Sequence, residues 1–281
     1  MVEKTNSSNL LGSTAHWTAA VRALESKRED RLLNDPWAAA LAGEQGALWI
    51  AQHPEESTIP IVLRTRFFDD FLQRVTAQHS IRQIVLMAAG LDTRAFRLHW
   101  PEGTRLFELD QPTVLNYKEE ILYSLGALPA CERRIIGKDL TEPWKDDLIA
   151  NGFDPQERSG WLLEGFLFYL PTETIPWLID EITNLVAPGS WLGFDIINDA
   201  VLTSPWTKSW VDMQAQWGAP WIGSLEDPES TLAARGWDAT LTQAGQPDAN
   251  FSRWTLPVIP TKMANMPHNW FVTAKKSTSR A

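Results

Sequence analysis

The chain is short of cysteine, histidine and positive charge. Cys131 is the only cysteine in 281 residues, which excludes an internal disulfide and any metal site built on several thiolates. The five histidines, His16, His53, His79, His99 and His268, show no metal-ligand spacing of the His-Glu-x-x-His kind. Against 35 acidic residues stand 25 Lys and Arg, a formal charge of −10. That balance lacks the basic footprint of a nucleic-acid partner, so none is expected. No segment approaches the roughly 18 apolar residues of a membrane span, and Met1 to Ser13 is polar, without the apolar centre of a secretory signal. The expectation is a soluble, cytoplasmic protein that handles small molecules; nothing in the composition sets an oligomeric state.

What is present suffices for a sizeable core, since 44% of residues are hydrophobic. No internal repeat, low-complexity run or Gly/Ser-rich linker divides the chain. One domain is therefore expected over residues 1–281, with a helical cap (1–80), a sheet core (81–197) and a C-terminal elaboration (198–281).

In the cap, Trp17, Ala20, Val21 and Leu24 recur at helical spacing within Thr14–Lys27. Asp35-Pro36 reads as a cap followed by proline at the first helical position, with Gly43 as the stop. A longer helix is predicted over Ile61–Ala77, with Phe67, Phe68, Phe71, Leu72 and Val75 turned inward. From residue 83 strands alternate with helices, the pattern of an open, mostly parallel α/β sheet with helices on both faces. Strands are predicted at Gln83–Ala88, Thr104–Leu109, Arg133–Gly137, Gly160–Gly165 and Ser190–Ile196. Helices are predicted at Pro112–Leu125, Pro143–Asn151 and Thr172–Ala187. Beyond Asn198 the chain is rich in tryptophan and proline, and Trp237–Leu241 with Asn269–Ala274 reads as a final pair of strands.

The informative feature is a strand, a turn of small residues, Ala88-Ala89-Gly90, and a second strand ending at Asp110, twenty positions beyond Gly90. Such a turn brings a ligand close to backbone, and a carboxylate at that distance takes the hydroxyls of a ribose. The ligand is therefore expected to be a nucleoside-containing cofactor. A pyrophosphate prefers an uncharged helix start, whereas the next turn here begins with Asp92; S-adenosylmethionine, which carries no phosphate and two cationic groups, suits it better than NAD. Ligands of open α/β sheets sit at the carboxyl ends of the strands. Acids stand there again, with Asp139 and Leu140 after the third strand and Glu164 after the fourth. Asp139 and the Leu140 N–H suit an adenine edge, and Glu164 a cationic methionine end. Arg64 suits a carboxylate through its guanidinium fork; pairing with Asp69 or Asp70 on its own helix is the competing role.

The runs Ala88-Ala89-Gly90-Leu91-Asp92-Thr93-Arg94, Phe107-Glu108-Leu109-Asp110-Gln111-Pro112 and Glu164-Gly165-Phe166-Leu167-Phe168-Tyr169-Leu170-Pro171 together resemble the leucine carboxyl methyltransferase family. The likeness is closest to its bacterial branch, which includes polyketide-type O-methyltransferases, and spans roughly residues 14–197. It implies a Rossmann-like class I methyltransferase fold with a seven-stranded, mostly parallel sheet and an antiparallel last strand. It also implies S-adenosylmethionine as methyl donor and a small-molecule acceptor in secondary metabolism. By motif, Arg64 resembles the arginine for the methionine carboxylate and Gly90 the glycine under the cofactor. Asp110 resembles the ribose aspartate, Asp139 and Leu140 the adenine contacts, and Glu164 the acid after strand four. Arg22 resembles a basic residue of the N-terminal helix that reaches the cofactor. Where many relatives have Gly-Ala-Gly this chain has Ala88-Ala89-Gly90, and a methyl group at Ala88 is compatible with the turn if its backbone keeps φ below zero.

Methyl transfer needs a general base only where the acceptor must lose a proton near neutrality. No His-Asp pairing is visible, which favours a carboxylate or acidic phenol as acceptor and leaves catalytic residues unassigned. His16 and His268 are candidate bases whose ordinary role is structural. Tyr169, among apolar neighbours, reads as core packing. Trp206, Trp210, Trp217 and Trp221, at offsets of four and seven, read as core first and as an aromatic wall for a flat acceptor second. A nicotinamide-dependent oxidoreductase and a non-catalytic S-adenosylmethionine binder are the alternatives.

Overall fold

The computed structural model describes residues 7–53, 58–261 and 263–278, with side chains from Thr14 onward. Residues 1–6 of the polar N-terminal stretch lie outside the described residues. Three helices come first: α1 (Ser7–Ser26), α2 (Ala38–Gln52) and α3 (Ile59–Gln78). α2 departs from expectation at both ends. Asp35 does cap, its carboxylate accepting from the Trp37 N–H at 3.2 Å, but the regular helix begins only at Ala38. Gly43 kinks the helix without ending it. Beyond the kink Trp49 is buried and stacks on Trp17 of α1 at 5.7 Å, so tertiary packing overrides the local break.

The sheet contains β1 (Gln83–Met87), β2 (Arg105–Asp110), β3 (Glu132–Gly137), β4 (Ser159–Leu163), β5 (Trp191–Ile197), β6 (Trp237–Gln243) and β7 (Asn269–Lys276). Their order is β3-β2-β1-β4-β5-β7-β6, with β7 antiparallel to both neighbours and the pairs from β3 to β5 parallel. The expected final pair of strands is thus present, and so is the Rossmann-like α/β architecture. Between the strands run α4 (Arg94–Arg97), α5 (Pro112–Ser124), α6 (Lys145–Ala150) and α7 (Thr174–Leu185). After β5 come α8 (Asp199–Thr203), α9 (Lys208–Gln216) and α10 (Pro228–Ala233).

β1 is buried along its whole length because both faces of the sheet are covered. Alternate residues serve opposite layers: Val85 and Met87 pack with Phe107, Leu109 and the α7 side chains Ile175, Leu178, Ile179 and Ile182. Ile84 and Leu86 pack with Leu106 and with Phe67, Phe68, Phe71, Leu72 and Val75 of α3, the inward set that the spacing predicts. One buried ion cluster interrupts this apolar interior. Glu108 of β2 pairs with Lys118 of α5 and Arg133 of β3, each at 2.7 Å. The chain runs outward from β1 to β3 and then returns to β4 beside β1. The crevice at the carboxyl ends of β1 and β4 lies at this switch, where open sheets bind ligands. No helix among the described residues is long and apolar enough to cross a membrane.

Candidate active site

The turn after β1 is held by hydrogen bonds from strand two. Ala89 N–H donates to the Leu109 carbonyl at 3.0 Å. The Asp110 carboxylate accepts from the Gly90 N–H through one oxygen and from the Gln111 N–H through the other, each at 2.6 Å. Burial pushes the Asp110 carboxyl above the usual range, partly offset by those two donors. Gly90 has φ +48, the left-handed region that suits glycine.

Ala88 departs from expectation. Its φ is +51, not negative, so the alanine occupies the left-handed conformation without a glycine's freedom. That conformation costs an L-residue roughly 1–2 kcal/mol. Ala88→Gly is expected to relieve it, offset by roughly 0.4–1 kcal/mol of added unfolded-chain entropy. The net gain of about 0.5–1 kcal/mol corresponds to a thermal midpoint about 1–3 °C higher by calorimetry. A lower midpoint would mean that packing of the methyl group outweighs the strain.

The helix after this turn, α4, is four residues long, too short for a useful macrodipole. The charge of Asp92 is met instead by Arg94. Arg94 donates to Asp92 through its guanidinium and, at 2.6 Å, through its backbone N–H. Burial raises the Asp92 carboxyl, but Arg94, Arg97, Lys118 and Arg22 outweigh it and hold the group at about 2. Asp92 is therefore not the free acid that its place in the sequence suggests; the stronger argument against a pyrophosphate is the missing helix.

Arg94 belongs to a larger network. Its Nε donates to Asp69 at 2.6 Å, and Asp69 also pairs with Arg97 at 2.5 Å. Its Nη2 lies 2.7 Å from Glu164 Oε2, an ion pair without hydrogen-bond alignment. Arg64 donates from Nε to Glu164 at 3.0 Å and from Nη1 to Asp195 at 2.9 Å. It does not pair with Asp69 or Asp70 as the local alternative has it; Asp70 is taken by Arg66 at 2.9 Å. The second Asp195 oxygen accepts from the Gly165 N–H at 2.6 Å. Glycine suits this position, because Gly165 has φ +66 and a Cβ there would lie 3.0 Å from Arg64 Nη2. Burial pushes Asp195 up, with Arg64 opposing, and the two carboxylates outweigh the effect of burial to keep Arg64 firmly protonated.

Of these groups Arg64, Asp92, Arg94, Arg97, Glu164 and Gly165 border one cavity, together with Asp110, Asp139 and Leu140, whereas Asp69 and Asp195 pair with them without lining it. Asp139 is exposed and its Oδ1 accepts from the Thr141 N–H and hydroxyl, at 2.9 and 2.7 Å, leaving Oδ2 toward solvent. Arg22 also borders the cavity, yet its hydrogen bonds run to Asp35 at 2.8 Å and the Leu91 carbonyl at 2.6 Å, so it braces the turn from behind. All eight residues singled out in the sequence are thus brought together. The two candidate histidines are not. His16 bonds the Ala42 carbonyl at 3.0 Å, and His268 is buried against Gln243 at 2.7 Å, both away from the cavity.

The cavity also has an aromatic wall, formed by Trp17, Trp49, Phe168, Tyr169, Trp210 and Trp221. Tyr169 packs against Phe168 as expected, but it also borders the cavity, and burial pushes its phenol up to about 12. The predicted tryptophan set divides. Trp210 and Trp221 line the wall, Trp217 meets Trp17 edge-on at 5.4 Å, and Trp206 is 73% exposed. Sequence reading missed Asp195, although a lone acid inside the apolar run Trp191–Ile197 signals a buried charge in need of a partner. Trp17 and Trp49 gave no such signal, since tryptophans on helices read as core.

Residues 15–183 match the leucine carboxyl methyltransferase family. The chain belongs to that family. It is a methyltransferase, and the nicotinamide alternative falls. Relatives agree. The chain is 40% identical over 262 residues to a candidate S-adenosyl-L-methionine-dependent methyltransferase of Saccharopolyspora erythraea, covering 86% of this chain and 88% of that one. It is 34% identical over 286 residues to one of Mycolicibacterium gilvum, covering 94% of each. Among solved structures it is similar to a DUF574 family protein of Streptomyces avermitilis, with a TM-score of 0.58 at 14% identity, covering 92% of this chain and 96% of that one. It is also similar to a candidate methyltransferase of Thermobifida fusca, with a TM-score of 0.57 at 17% identity, covering 92% and 94%. At such identities the structural likeness speaks for the fold of this leucine carboxyl methyltransferase family member.

Proposed function

We propose that this chain, an S-adenosylmethionine-dependent methyltransferase, delivers the methyl group to an ionised oxygen of a small molecule, a carboxylate or a phenolate, in secondary metabolism. The observation that carries this reading is the make-up of the cavity. Among the described residues that line it there is no histidine, and its one phenol, Tyr169, is pushed up to about 12 and stays protonated near neutrality. Glu164 is bound to two arginines. With no imidazole among the described lining residues and its one phenol held protonated, the acceptor oxygen arrives with its charge already formed.

The residues present fit the methyl donor. Asp110, ionised, has lone pairs beyond those used by Gly90 and Gln111 for the ribose hydroxyls. Asp139 and the Leu140 N–H serve the adenine edge, and the backbone of Ala88 and Gly90 passes beneath. Arg64 keeps its Nη2 for the methionine carboxylate, since only Nε and Nη1 are engaged among the described residues. Glu164 Oε2, which lacks an aligned donor, receives the ammonium. Around the methionine end the carboxylates of Asp69, Asp92, Glu164 and Asp195 face the guanidiniums of Arg64, Arg94 and Arg97.

When bound, the donor supplies a sulfonium-activated methyl group: the acceptor's lone pair forms the O–CH3 bond as the C–S bond breaks and its electrons return to sulfur. The protein's work is to align the two and exclude water, which supplies several kcal/mol of the barrier. The pH profile of kcat/KM tests the reading. With a carboxylate acceptor it is expected to stay flat between about pH 6 and 9, and with phenols to rise through each acceptor's own pKa. A rise through one pKa near 7, the same for every acceptor, would reveal a base in the enzyme and defeat the proposal.

A further inference from the structure

Helix α9 hides the wrong kind of side chain for a packing helix. An amphipathic helix turns an apolar stripe inward, yet the one residue that α9 buries is Gln214, 5% exposed. Its Oε1 is sealed from solvent without a hydrogen-bond partner among the described residues. A buried, unpaired amide oxygen is destabilising and asks for a partner that is not yet there. Gln214 lines the same cavity as the aromatic wall. In that wall Trp49, 1% exposed, likewise has its indole Nε1 buried without a partner. One acceptor and one donor are therefore left open among flat rings. Trp17 stacks on Trp49 at 5.7 Å, Trp210 stands edge-on to Trp221 at 6.2 Å, and Trp221 meets Phe168 at 4.6 Å.

We propose, building on the methyl-transfer reading above, that this wall is the acceptor subsite and selects flat aromatic acids or phenols that carry a second polar group away from the methylated oxygen. An N–H or O–H of that group pairs with Gln214 Oε1, and a carbonyl or hydroxyl oxygen pairs with Trp49 Nε1. The acceptor ring lies against Trp210 and Trp221, which give large rigid contact area, because Trp49 is already stacked on Trp17 and His53, at 5.7 and 4.0 Å, and offers only its Nε1 edge. Gln214 is a specificity residue here, with no part in moving the methyl group.

The test uses the full chain loaded with S-adenosylhomocysteine and titrated by calorimetry with three probes. Kynurenate is a flat hydroxyquinoline carboxylate, naphthoate is flat without a second polar group, and decalin carboxylate is similar in size but not flat. Kynurenate is expected to bind about tenfold or more tightly than naphthoate, and naphthoate more tightly than decalin carboxylate. In Gln214→Leu the advantage of kynurenate over naphthoate disappears while affinity for S-adenosylhomocysteine is unchanged. The melting temperature of the probe-free variant rises by about 2–3 °C, because leucine replaces an unpaired amide. A lower melting temperature, or a variant that does not fold, shows a structural glutamine and overturns the subsite. So does equal discrimination in both proteins, or no probe binding to the loaded wild type. Failure of the wild type to bind S-adenosylhomocysteine at all overturns the methyl-transfer reading and this one with it, so the two failures are told apart in one series.

Discussion

Arg64→Met is expected to destabilise the fold by about 3–5 kcal/mol and to abolish measurable binding of S-adenosylhomocysteine. The guanidinium bridges Glu164 and Asp195, whose side chains are 13% and 0% exposed. Removing one partner of a buried pair leaves the other's charge without compensation, which is far more damaging than the pair's own net worth. Glu164 keeps Arg94 at 2.7 Å, so the penalty falls chiefly on Asp195, left among the described residues with only the Gly165 N–H.

The sign of the pH effect follows. Burial already raises the folded pKa of Asp195, and loss of Arg64 raises it further. A carboxyl whose folded pKa lies above its unfolded value withdraws stability as pH rises through that interval and returns it as pH falls. The deficit of Arg64→Met against wild type should therefore be larger at pH 8 than at pH 5 in urea titrations. Adding Asp195→Asn should recover most of the stability at pH 8, because the orphaned charge is gone, without recovering cofactor binding. A single variant as stable as wild type at pH 8 would mean that Asp195 is already neutral there and that the pair is not ionic.

The centre of the sheet was legible because strands such as β1 and β4 are apolar runs closed by turn residues, and α3 because its apolar residues recur at helical spacing. The gathering of Asp110, Asp139 and Glu164 around one cavity was legible too, since each stands at a strand's carboxyl end, a place fixed by local sequence. What was not legible depended on distant partners. Nothing near Arg64 announces Asp195, 131 positions away. Nor does anything near Gly43 announce that Trp49 belongs under Trp17. The conformation of Ala88 was misread because residue type sets an energetic preference, whereas here the hydrogen bonds of Ala89 and Gly90 to strand two set the turn. The aromatic wall combines residues of α1, α2, α9, the segment after β4 and the segment between α9 and α10, so its aromatic character emerges only on folding.

Asp110→Ala is expected to weaken S-adenosylhomocysteine binding by at least about 100-fold. Hydrogen bonds to a charged group contribute roughly 1.5–3 kcal/mol each, and each 1.4 kcal/mol is tenfold in affinity; two ribose hydroxyls reach that figure even at the lower value. Asp110 also fixes the turn through Gly90 and Gln111, so part of the loss in the alanine variant belongs to the backbone. Asp110→Asn partly separates the two contributions, because its carbonyl oxygen still accepts from one N–H while it removes the charge and the acceptor for the other N–H. Burial raises the folded pKa of Asp110 in the free protein, so this carboxyl too favours folding at low pH and withdraws stability as pH rises. Ribose donors and a positively charged ligand favour the ionised form. Wild-type affinity should therefore begin to fall, on acidification, above the ordinary carboxylate range, whereas that of Asp110→Asn should be flat across the same interval. Calorimetry at a series of pH values checks both, and equal affinities of wild type and Asp110→Asn throughout would remove this carboxylate from the ribose.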